Sequence, residues 1–267
     1  MEDFNVLQKA TKNNICFDPF PHIVIENALD NTLYQKLVNM YPNPEYIMNV
    51  SCTHSNRWKP SENNIMYQLR SEDILQSKEV DDLWKRFVQY HTSEKFYQQV
   101  CNLFGFDRLF QHHPKLKSKA TENKLTVGIR SKKNKTDLGM ECAIRVNSPV
   151  TQQSTVRAPH IDANTTVFVG LYYFRDPADT STGGDLAIYK HNDSANFIVT
   201  PFKLEQKAGR TYMNSNEIAS NITLVKTIKY QPNTLIFFIN SDQAVHAVTE
   251  RSITPHYRKL INIIGTK

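Results

Sequence analysis

The sequence has four cysteines in 267 residues, and no two of them form a CxxC pair. This spacing excludes a zinc site built from cysteine pairs, and the low cysteine content excludes a disulfide-stapled secreted domain. The eight glycines form neither a glycine-rich phosphate-binding loop nor a GxSxG nucleophile elbow. No apolar run approaches the roughly 20 residues that a membrane-spanning helix needs. What remains is a globular chain of about the size of one large domain.

The amino terminus begins Met-Glu-Asp-Phe-Asn, with no basic segment followed by an apolar run. Secretory signals need both features, so we expect no signal peptide and a cytoplasmic location.

The net charge of +6 comes from one short segment. Residues 115–135 carry eight Lys or Arg and one acid, and the rest of the chain has 24 basic and 25 acidic residues, a sum of −1. A basic chain suggests a nucleic acid partner, but a short run of this kind is usually a solvated face. We therefore predict an exposed loop and hairpin at 115–135, with neither nucleic acid nor a membrane as partner.

The first part of the chain has the apolar spacing of helices. We predict one helix capped by Asp30, a second apolar stripe over 80–88, and a third helix that begins after Ser93 and ends at Gly105. Residues 51–64 have no period and read as a long loop, either a lid or a solvated connection.

From residue 124 onward the apolar period becomes two and β-formers accumulate. Helices first and short strands afterwards predict an α+β chain, mainly β, whose second part is a sandwich or jelly roll. We assign 1–120 to an amino-terminal strand with helical support and 121–267 to the β core, together one compact unit, with a polar excursion at 192–221. The predicted strands are 125–129, 142–146, 165–174, 185–189, 223–230, 234–239, 244–249 and 259–264.

The sequence contains a His-x-Asp pair, His160 and Asp162, which has a consequence if it lies at the end of a strand. Residues i and i+2 of a strand point to the same face, and a neighbouring strand can bring His246 alongside. Two imidazoles and one carboxylate on one side of a metal leave its other positions open, which is the facial triad of non-haem Fe(II) oxygenases. A strand histidine is more often a plain core residue, so the pair alone is weak evidence.

Further motifs accompany the pair and give the sequence a family resemblance. Arg157-Ala-Pro-His-Ile-Asp162, Leu171-Tyr-Tyr-Phe, Gly183-Gly-Asp-Leu, the segment 240–248 with His246, and Arg258-Lys-Leu-Ile-Asn262 resemble the 2-oxoglutarate/Fe(II)-dependent dioxygenases, specifically the prolyl-4-hydroxylase-like branch. The likeness covers roughly residues 120–267. In addition, Pro19-Phe-Pro-His-Ile-Val-Ile25 looks like the entry strand of many bacterial and phage members.

The resemblance implies a double-stranded β-helix, or jelly roll, with the helical extension packed on it. It implies that His160, Asp162 and His246 bind Fe(II), that Arg258 binds the distal carboxylate of 2-oxoglutarate, and that Tyr173 contributes a hydroxyl there. Asn262 falls where the family often has a small hydroxyl residue, so its amide is a departure. Arg251 and Lys259 are alternatives to Arg258, although Lys259 has the opposite strand parity to Asn262.

The activity implied is hydroxylation of an unactivated C–H bond, coupled to oxidative decarboxylation of 2-oxoglutarate by O2, with ascorbate able to support turnover. Halogenating members carry a small residue in place of Asp162, so hydroxylation is favoured, although desaturation and ring formation use the same triad. The substrate expected is an amino-acid, peptidyl or small-metabolite one, with Arg145, Arg157 and Trp58 as candidate contacts. The alternatives are a non-catalytic metal-binding β-barrel and a dioxygenase acting on nucleic acid.

Overall fold

The computed structural model describes residues 3–55, 63–131, 135–192, 205–207, 210–212 and 221–267. Across these ranges, no helix combines the length and apolar character that a membrane span requires. Trp58 and most of the predicted excursion at 192–221 lie outside the described residues.

Helices occupy the first part of the chain, as predicted. The side chain of Asp30 accepts hydrogen bonds from the first turn of one helix, and Ser93 does the same for another, which confirms both predicted caps. Gly105, with φ of 82°, follows the second of these helices. The helices are α1 (Asn31–Asn39), α2 (Pro44–Ser55), α3 (Ser71–Gln76), α4 (Asp82–His91), α5 (Glu94–Phe104), α6 (Phe106–Leu109) and α7 (Pro114–Thr121).

Two sheets make up the β part. The strands are β1 (His22–Ile25), β2 (Met66–Leu69), β3 (Val127–Ile129), β4 (Leu138–Asn147), β5 (His160–Ile161), β6 (Thr166–Tyr173), β7 (Leu186–His191), β8 (Glu205–Lys207), β9 (Arg210–Tyr212), β10 (Ile222–Ile228), β11 (Leu235–Ile239), β12 (His246–Val248) and β13 (Arg258–Thr266). The larger sheet has the order β1-β11-β6-β13-β4-β2, with β3 beside β4, and the smaller has the order β10-β7-β12-β5-β9-β8. Their order matches the predicted jelly roll, and both β1 and β2 come from the first 120 residues.

The two faces of the larger sheet have different neighbours. Its outer face packs against the helices in a large aromatic core that includes Trp84, Phe87 and Phe237. Burial of each such side chain contributes about 1.5–3 kcal/mol. Its inner face shares a smaller core with the second sheet, which includes Tyr173 and Phe238. The alternation of side chains along β13 therefore sends one set to the helices and the other to the space between the sheets.

The predicted loop at 51–64 is wrong in its first part, because α2 continues to Ser55. Pro44 begins this helix, and proline fits a first helical turn because the N–H it lacks has no partner there. Ile47 and Met48 are buried on the inner side of α2.

The predicted loop and hairpin at 115–135 is also wrong. The segment begins with α7, in which Leu116 is buried, and its strand β3 pairs with β4 in parallel, whereas a hairpin requires antiparallel strands. Several basic side chains here pair with acids. Lys117 lies 2.8 Å from Asp107, Lys124 lies 2.9 Å from Glu122, and Lys119 pairs with Asp137.

Candidate functional site

The fold brings His160, Asp162 and His246 together. His160 on β5 is the direct cross-strand neighbour of His246 on β12, and their ring centroids are 4.3 Å apart. The Asp162 carboxylate oxygens lie 3.8 Å from Nε2 of each histidine. Among the described residues these three form the group whose ligand atoms converge within 4.8 Å. The predicted same-face geometry of the His-x-Asp pair is therefore present.

Backbone hydrogen bonds fix the tautomer of both histidines. Nδ1 of His160 lies 2.8 Å from the Ala158 carbonyl oxygen, and Nδ1 of His246 lies 2.9 Å from that of Ala244. A carbonyl oxygen only accepts, so each Nδ1 carries the proton and donates it. Each Nε2 is thus left with a lone pair directed at the centre of the group, as a metal ligand requires.

Burial also favours the neutral form of His160. Desolvation, followed by the nearby His246, lowers the pKa of His160 well below its ordinary value, against the opposing charge of Asp162. A neutral imidazole is the form that binds a metal ion. This donor set, two neutral imidazoles and one carboxylate, fits a divalent first-row ion with open coordination positions.

Asn240 and Phe238 hold this group in place. The Asn240 side-chain amide donates to the carbonyl oxygens of Asp162, Ala163 and Thr166 at 3.1–3.4 Å, which fastens the turn that carries Asp162. The ring of Phe238 packs edge-on against His246, with centroids 4.9 Å apart. Neither supporting residue was recognised from the sequence.

The triad opens into a cavity of about 350 Å³ between the two sheets. Its apolar lining comes from Val169, Leu171, Leu186, Leu260 and Ile264, among others. Arg258 enters from the larger sheet, opposite the triad, and is 3% exposed. In the described part of the chain, no carboxylate lies within salt-bridge distance of Arg258. A buried guanidinium facing a cavity without its own anion fits a ligand carboxylate.

The Arg258 guanidinium is held by a carbonyl and two rings. Its Nε donates to the Gly184 carbonyl oxygen at 2.8 Å, and its Cζ lies 5.1 Å and 4.9 Å from the ring centroids of Tyr173 and Tyr230. The Tyr173 hydroxyl is buried beside the Arg258 side chain and makes no hydrogen bond of regular geometry to a described residue. Burial raises the pKa of Tyr173, although Arg258 opposes this, so the hydroxyl stays protonated and able to donate.

Asn262 lines the same cavity, in a different role from a hydroxyl donor. Its Nδ2 donates to the Gly170 carbonyl oxygen at 3.3 Å, which leaves Oδ1 buried and without a partner in the described ranges. In this orientation Asn262 offers an acceptor, which suits an N–H or O–H group and repels a carboxylate oxygen.

The structure separates Arg258 from its two alternatives. Arg251 is buried away from the cavity lining, and its Nη2 donates to Asp179 at 2.7 Å. Lys259 points to the helical side, where its Nζ lies 5.5 Å from the ring centroid of Tyr41. The opposite strand parity predicted for Lys259 explains this placement.

Of the candidate substrate contacts, Arg145 and Arg157 both line the cavity. Arg145 projects from β4, and its Nε donates to the Gln68 side-chain oxygen at 3.0 Å. Arg157 lies in the segment that leads into β5. Trp58 is among the residues outside the described ranges.

Two cavity-lining residues, Asn64 and Asn147, were missed from the sequence. Both are buried and retain side-chain atoms without hydrogen-bond partners among the described residues. An asparagine near a strand end is ordinary in sequence, and only its burial distinguishes these two.

No protein-family model matches the sequence, and no curated protein matches it. Solved structures do match in fold. A prolyl 4-hydroxylase from Phytophthora capsici is 13% identical with a TM-score of 0.50, and the alignment covers 100% of this chain and 66% of that one. The present chain thus spans just under two thirds of that hydroxylase.

Two further structures overlap less closely. The epimerase SnoN, in complex with Fe3+, alpha ketoglutarate and nogalamycin RO, is 11% identical with a TM-score of 0.46. That alignment covers 92% of this chain and 78% of the SnoN chain. A Pseudomonas putida prolyl-4-hydroxylase is 10% identical with a TM-score of 0.43, covering 92% of each chain.

The match to the Phytophthora hydroxylase confirms the predicted fold, a jelly roll with amino-terminal helices. The cluster of His160, Asp162 and His246 resembles the HxD…H arrangement of the 2-oxoglutarate/Fe(II) dioxygenases. At 13% identity the similarity establishes a shared fold, and the activity must be argued from the site.

Proposed function

We propose that the protein is a non-haem Fe(II)/2-oxoglutarate-dependent dioxygenase that hydroxylates an unactivated C–H bond. One observation carries this proposal: a converging His-Asp-His group and a buried arginine without a carboxylate partner face one cavity from opposite sheets. The first fits a divalent metal with open positions, and the second fits a ligand carboxylate.

In this proposal, Nε2 of His160, Nε2 of His246 and the Asp162 carboxylate hold Fe(II). Bound Fe(II) supplies the O2 chemistry that is coupled to the oxidative decarboxylation of 2-oxoglutarate. The protein contributes pre-set tautomers, since both Nδ1 atoms are already committed to backbone carbonyls. Asn240 restrains the turn that carries Asp162 and so keeps the carboxylate near both imidazoles.

Arg258 holds the distal carboxylate of 2-oxoglutarate, and the Tyr173 hydroxyl donates to the same group. Both are buried, so their hydrogen bonds act without competition from bulk water. The apolar side chains between the two ends of the cavity exclude water from the reacting region. The substrate would be an amino-acid, peptidyl or small-metabolite one.

Succinate formation from 2-oxoglutarate tests the proposal. Wild-type protein with Fe(II), O2 and ascorbate should release succinate, and a candidate substrate should gain the mass of one oxygen atom. His160→Ala and Arg258→Ala should both abolish succinate release, whereas Lys259→Ala, next to Arg258 but facing the helices, should retain it. The proposal is wrong if wild-type protein neither binds Fe(II) nor releases succinate with any candidate substrate.

A further inference from the structure

Two tyrosine rings enclose the buried guanidinium of Arg258. Its Cζ lies 5.1 Å from the ring centroid of Tyr173 and 4.9 Å from that of Tyr230. The two rings meet edge to face, with centroids 5.1 Å apart and planes at 79°. A cation is attracted to the negative face of an aromatic ring, and the attraction is strongest where water is excluded. The two rings therefore supply part of the attraction that a carboxylate would give to Arg258.

Hydrogen bonds fix the ring of Tyr230 to the strand that carries Arg258. The Tyr230 hydroxyl accepts from the Lys259 N–H at 2.8 Å and donates to the Lys259 carbonyl oxygen at 3.3 Å. Lys259 follows Arg258 on β13, so the ring and the guanidinium share one anchored strand. Tyr230 is fully buried and lies outside the cavity lining, so a ligand in the cavity meets Arg258 and not Tyr230.

Tyr230 contacts Arg258 as a neutral ring. Burial raises the pKa of Tyr230 to about 12, although the charge of Arg258 opposes the rise. The hydroxyl therefore keeps its proton at neutral pH, and Tyr230 does not compete as an anion with a ligand carboxylate.

The acid closest in sequence to this contact already has partners. Asp185 follows Gly184, whose carbonyl oxygen accepts from Arg258 Nε at 2.8 Å. One Asp185 carboxylate oxygen accepts from the backbone N–H of Tyr230 at 2.8 Å, and the other lies 3.0 Å from Lys229 Nζ. A substitution of the Tyr230 side chain leaves that backbone bond in place, so its effect on Arg258 can be traced to the ring.

We propose that Tyr230 is a positioning residue for 2-oxoglutarate that acts through Arg258; this inference rests on the proposed function. Its ring holds the guanidinium in one orientation, facing the cavity, before the ligand binds. An arginine that is free to move loses side-chain entropy when it binds a ligand, whereas one that is already held does not, and its affinity is higher.

Titration of 2-oxoglutarate by calorimetry into protein loaded with Mn(II), which takes the place of Fe(II), tests the inference. Tyr230→Leu removes the ring, and we expect binding about three- to tenfold weaker, which corresponds to ordering one arginine side chain. Tyr230→Phe keeps the ring and loses only the hydroxyl bonds to Lys259, so its affinity should stay within about twofold of wild type. Tyr230→Met removes the ring in the same way and serves if Tyr230→Leu does not fold.

A double-mutant cycle isolates the contact with Arg258 from the other contacts of the ring. One of these is with Arg175, whose Cζ lies 5.5 Å from the Tyr230 centroid. In an Arg258→Met background, Tyr230→Leu should cause no further loss of 2-oxoglutarate affinity, because the residue through which the ring acts is absent.

Tyr172→Leu is the matched control. Tyr172 is as fully buried as Tyr230, but it packs on the helical side, where its ring centroid is 6.2 Å from that of Tyr34. Its hydroxyl donates to Asn233 Oδ1 at 2.6 Å. Loss of this packing and of this bond should lower the melting temperature, while the affinity for 2-oxoglutarate should stay unchanged.

The motion of the Arg258 side chain reports its positioning without metal or ligand. The Nε–H is buried and bonded to the Gly184 carbonyl oxygen, and its NMR signal is assigned by its loss in Arg258→Met. In wild type and Tyr230→Phe, the order parameter of this N–H should be near the value of about 0.85 that is typical of rigid groups. In Tyr230→Leu it should fall below about 0.6.

Four results would overturn the inference: wild-type or higher affinity in Tyr230→Leu, an equal loss of affinity in Tyr230→Phe, the same loss in the Arg258→Met background, or an unchanged order parameter in Tyr230→Leu. If wild-type protein binds neither Mn(II) nor 2-oxoglutarate, the proposed function fails instead. The order parameter then still shows whether Tyr230 positions Arg258.

Discussion

Arg251 and Arg258 are both almost fully buried, yet their surroundings differ in one respect. Arg251 has its own anion, since Nη2 donates to Asp179 at 2.7 Å and Nε donates to Ser181 Oγ at 3.1 Å. Arg258 has a backbone carbonyl and two aromatic rings, but no carboxylate partner among the described residues. A buried cation needs an anion. Asp179 supplies this anion for Arg251, whereas the space beside Arg258 suits the carboxylate of a ligand.

Burial and residue type do not distinguish a structural arginine from a ligand-binding one, but the partner of the guanidinium does. The pair of Arg251 and Asp179 joins the turn after β6 to the segment before β13, while Arg258 at the start of β13 faces the cavity. Gly184 lies against both arginines: a Cβ there would be 3.3 Å from side-chain atoms of each. The two arginines are therefore neighbours, but Arg251 has an anion within the protein, whereas Arg258 has no carboxylate partner among the described residues.

The largest effect is expected from Asp179→Ala, which removes the internal anion. The substitution leaves Arg251, 1% exposed, as an uncompensated buried charge. We expect the free energy of unfolding to fall by about 3–5 kcal/mol, measured by urea denaturation. Asp176→Ala is the control, because Asp176 is partly exposed, and it should cost about 1 kcal/mol or less. Equal losses of unfolding free energy in the two variants would mean that the buried pair of Asp179 and Arg251 stabilises the fold no more than an exposed carboxylate does.

Arg258→Met should show the opposite pattern. The protein loses no ion pair within the described residues, and removal of a buried charge offsets the lost hydrogen bond from Nε to the Gly184 carbonyl oxygen, so the free energy of unfolding should change by about 1 kcal/mol or less. The affinity for 2-oxoglutarate, measured by calorimetry on Mn(II)-loaded protein, should fall roughly 100-fold, which is about 2.7 kcal/mol. A loss of stability as large as that of Asp179→Ala would mean that Arg258, like Arg251, serves mainly to stabilise the fold.

Gly184→Ala perturbs both arginines at once. Gly184 has a φ of 71°, a left-handed conformation that costs an L-residue about 1–2 kcal/mol, and the added Cβ presses on both side chains. We expect a fall of about this size in the free energy of unfolding, together with weaker 2-oxoglutarate binding. A change in stability without a change in binding would indicate that Arg258 does not depend on this contact.

The smallest effect is expected from pH, through Asp179. Burial alone would raise its pKa, but hydrogen bonds from Ser181 and the charge of Arg251 outweigh burial and lower it below the usual 3.8. A carboxylate with a lowered folded-state pKa stabilises the fold above about pH 4, and this contribution is lost as the pH falls through that pKa. The stability gap between wild type and Asp179→Asn should therefore be full at neutral pH and shrink below about pH 4. A gap that stays constant in acid would contradict this origin.

Alternation and capping made much of the fold predictable from sequence. Alternation correctly predicted that His160 and Asp162 converge, although Asp162 lies just after the two-residue strand β5. Asp30 and Ser93 cap the helices they were expected to cap. Helix α2 was not predicted, although it begins at Pro44 and proline fits the first turn of a helix. A strand in the basic segment does not reveal its partner, so the parallel pairing of β3 with β4 could not be inferred.

Side-chain partners were the part of the site that sequence could not supply. Asp179 and Arg251 are 72 residues apart and belong to no motif. The burial of Asn64 and Asn147, and the lack of described hydrogen-bond partners for Oδ1 of each, depend on which groups the fold leaves beside them. The roles of Arg258, Tyr173 and Asn262 stay predictions that rest on the resemblance. To these the structure adds a buried cation and, among the described residues, a hydroxyl and an amide oxygen without hydrogen-bond partners.

Under the proposed function, the two faces of one cavity hold a metal ion and a dicarboxylate. A crystal structure of the protein with Mn(II) and 2-oxoglutarate, with anomalous scattering to locate the metal, tests it most directly. We predict an anomalous peak bonded to Nε2 of His160, Nε2 of His246 and the Asp162 carboxylate, with a 2-oxoglutarate carboxylate paired to Arg258. A peak elsewhere, or a 2-oxoglutarate bound away from Arg258, would contradict the proposed function.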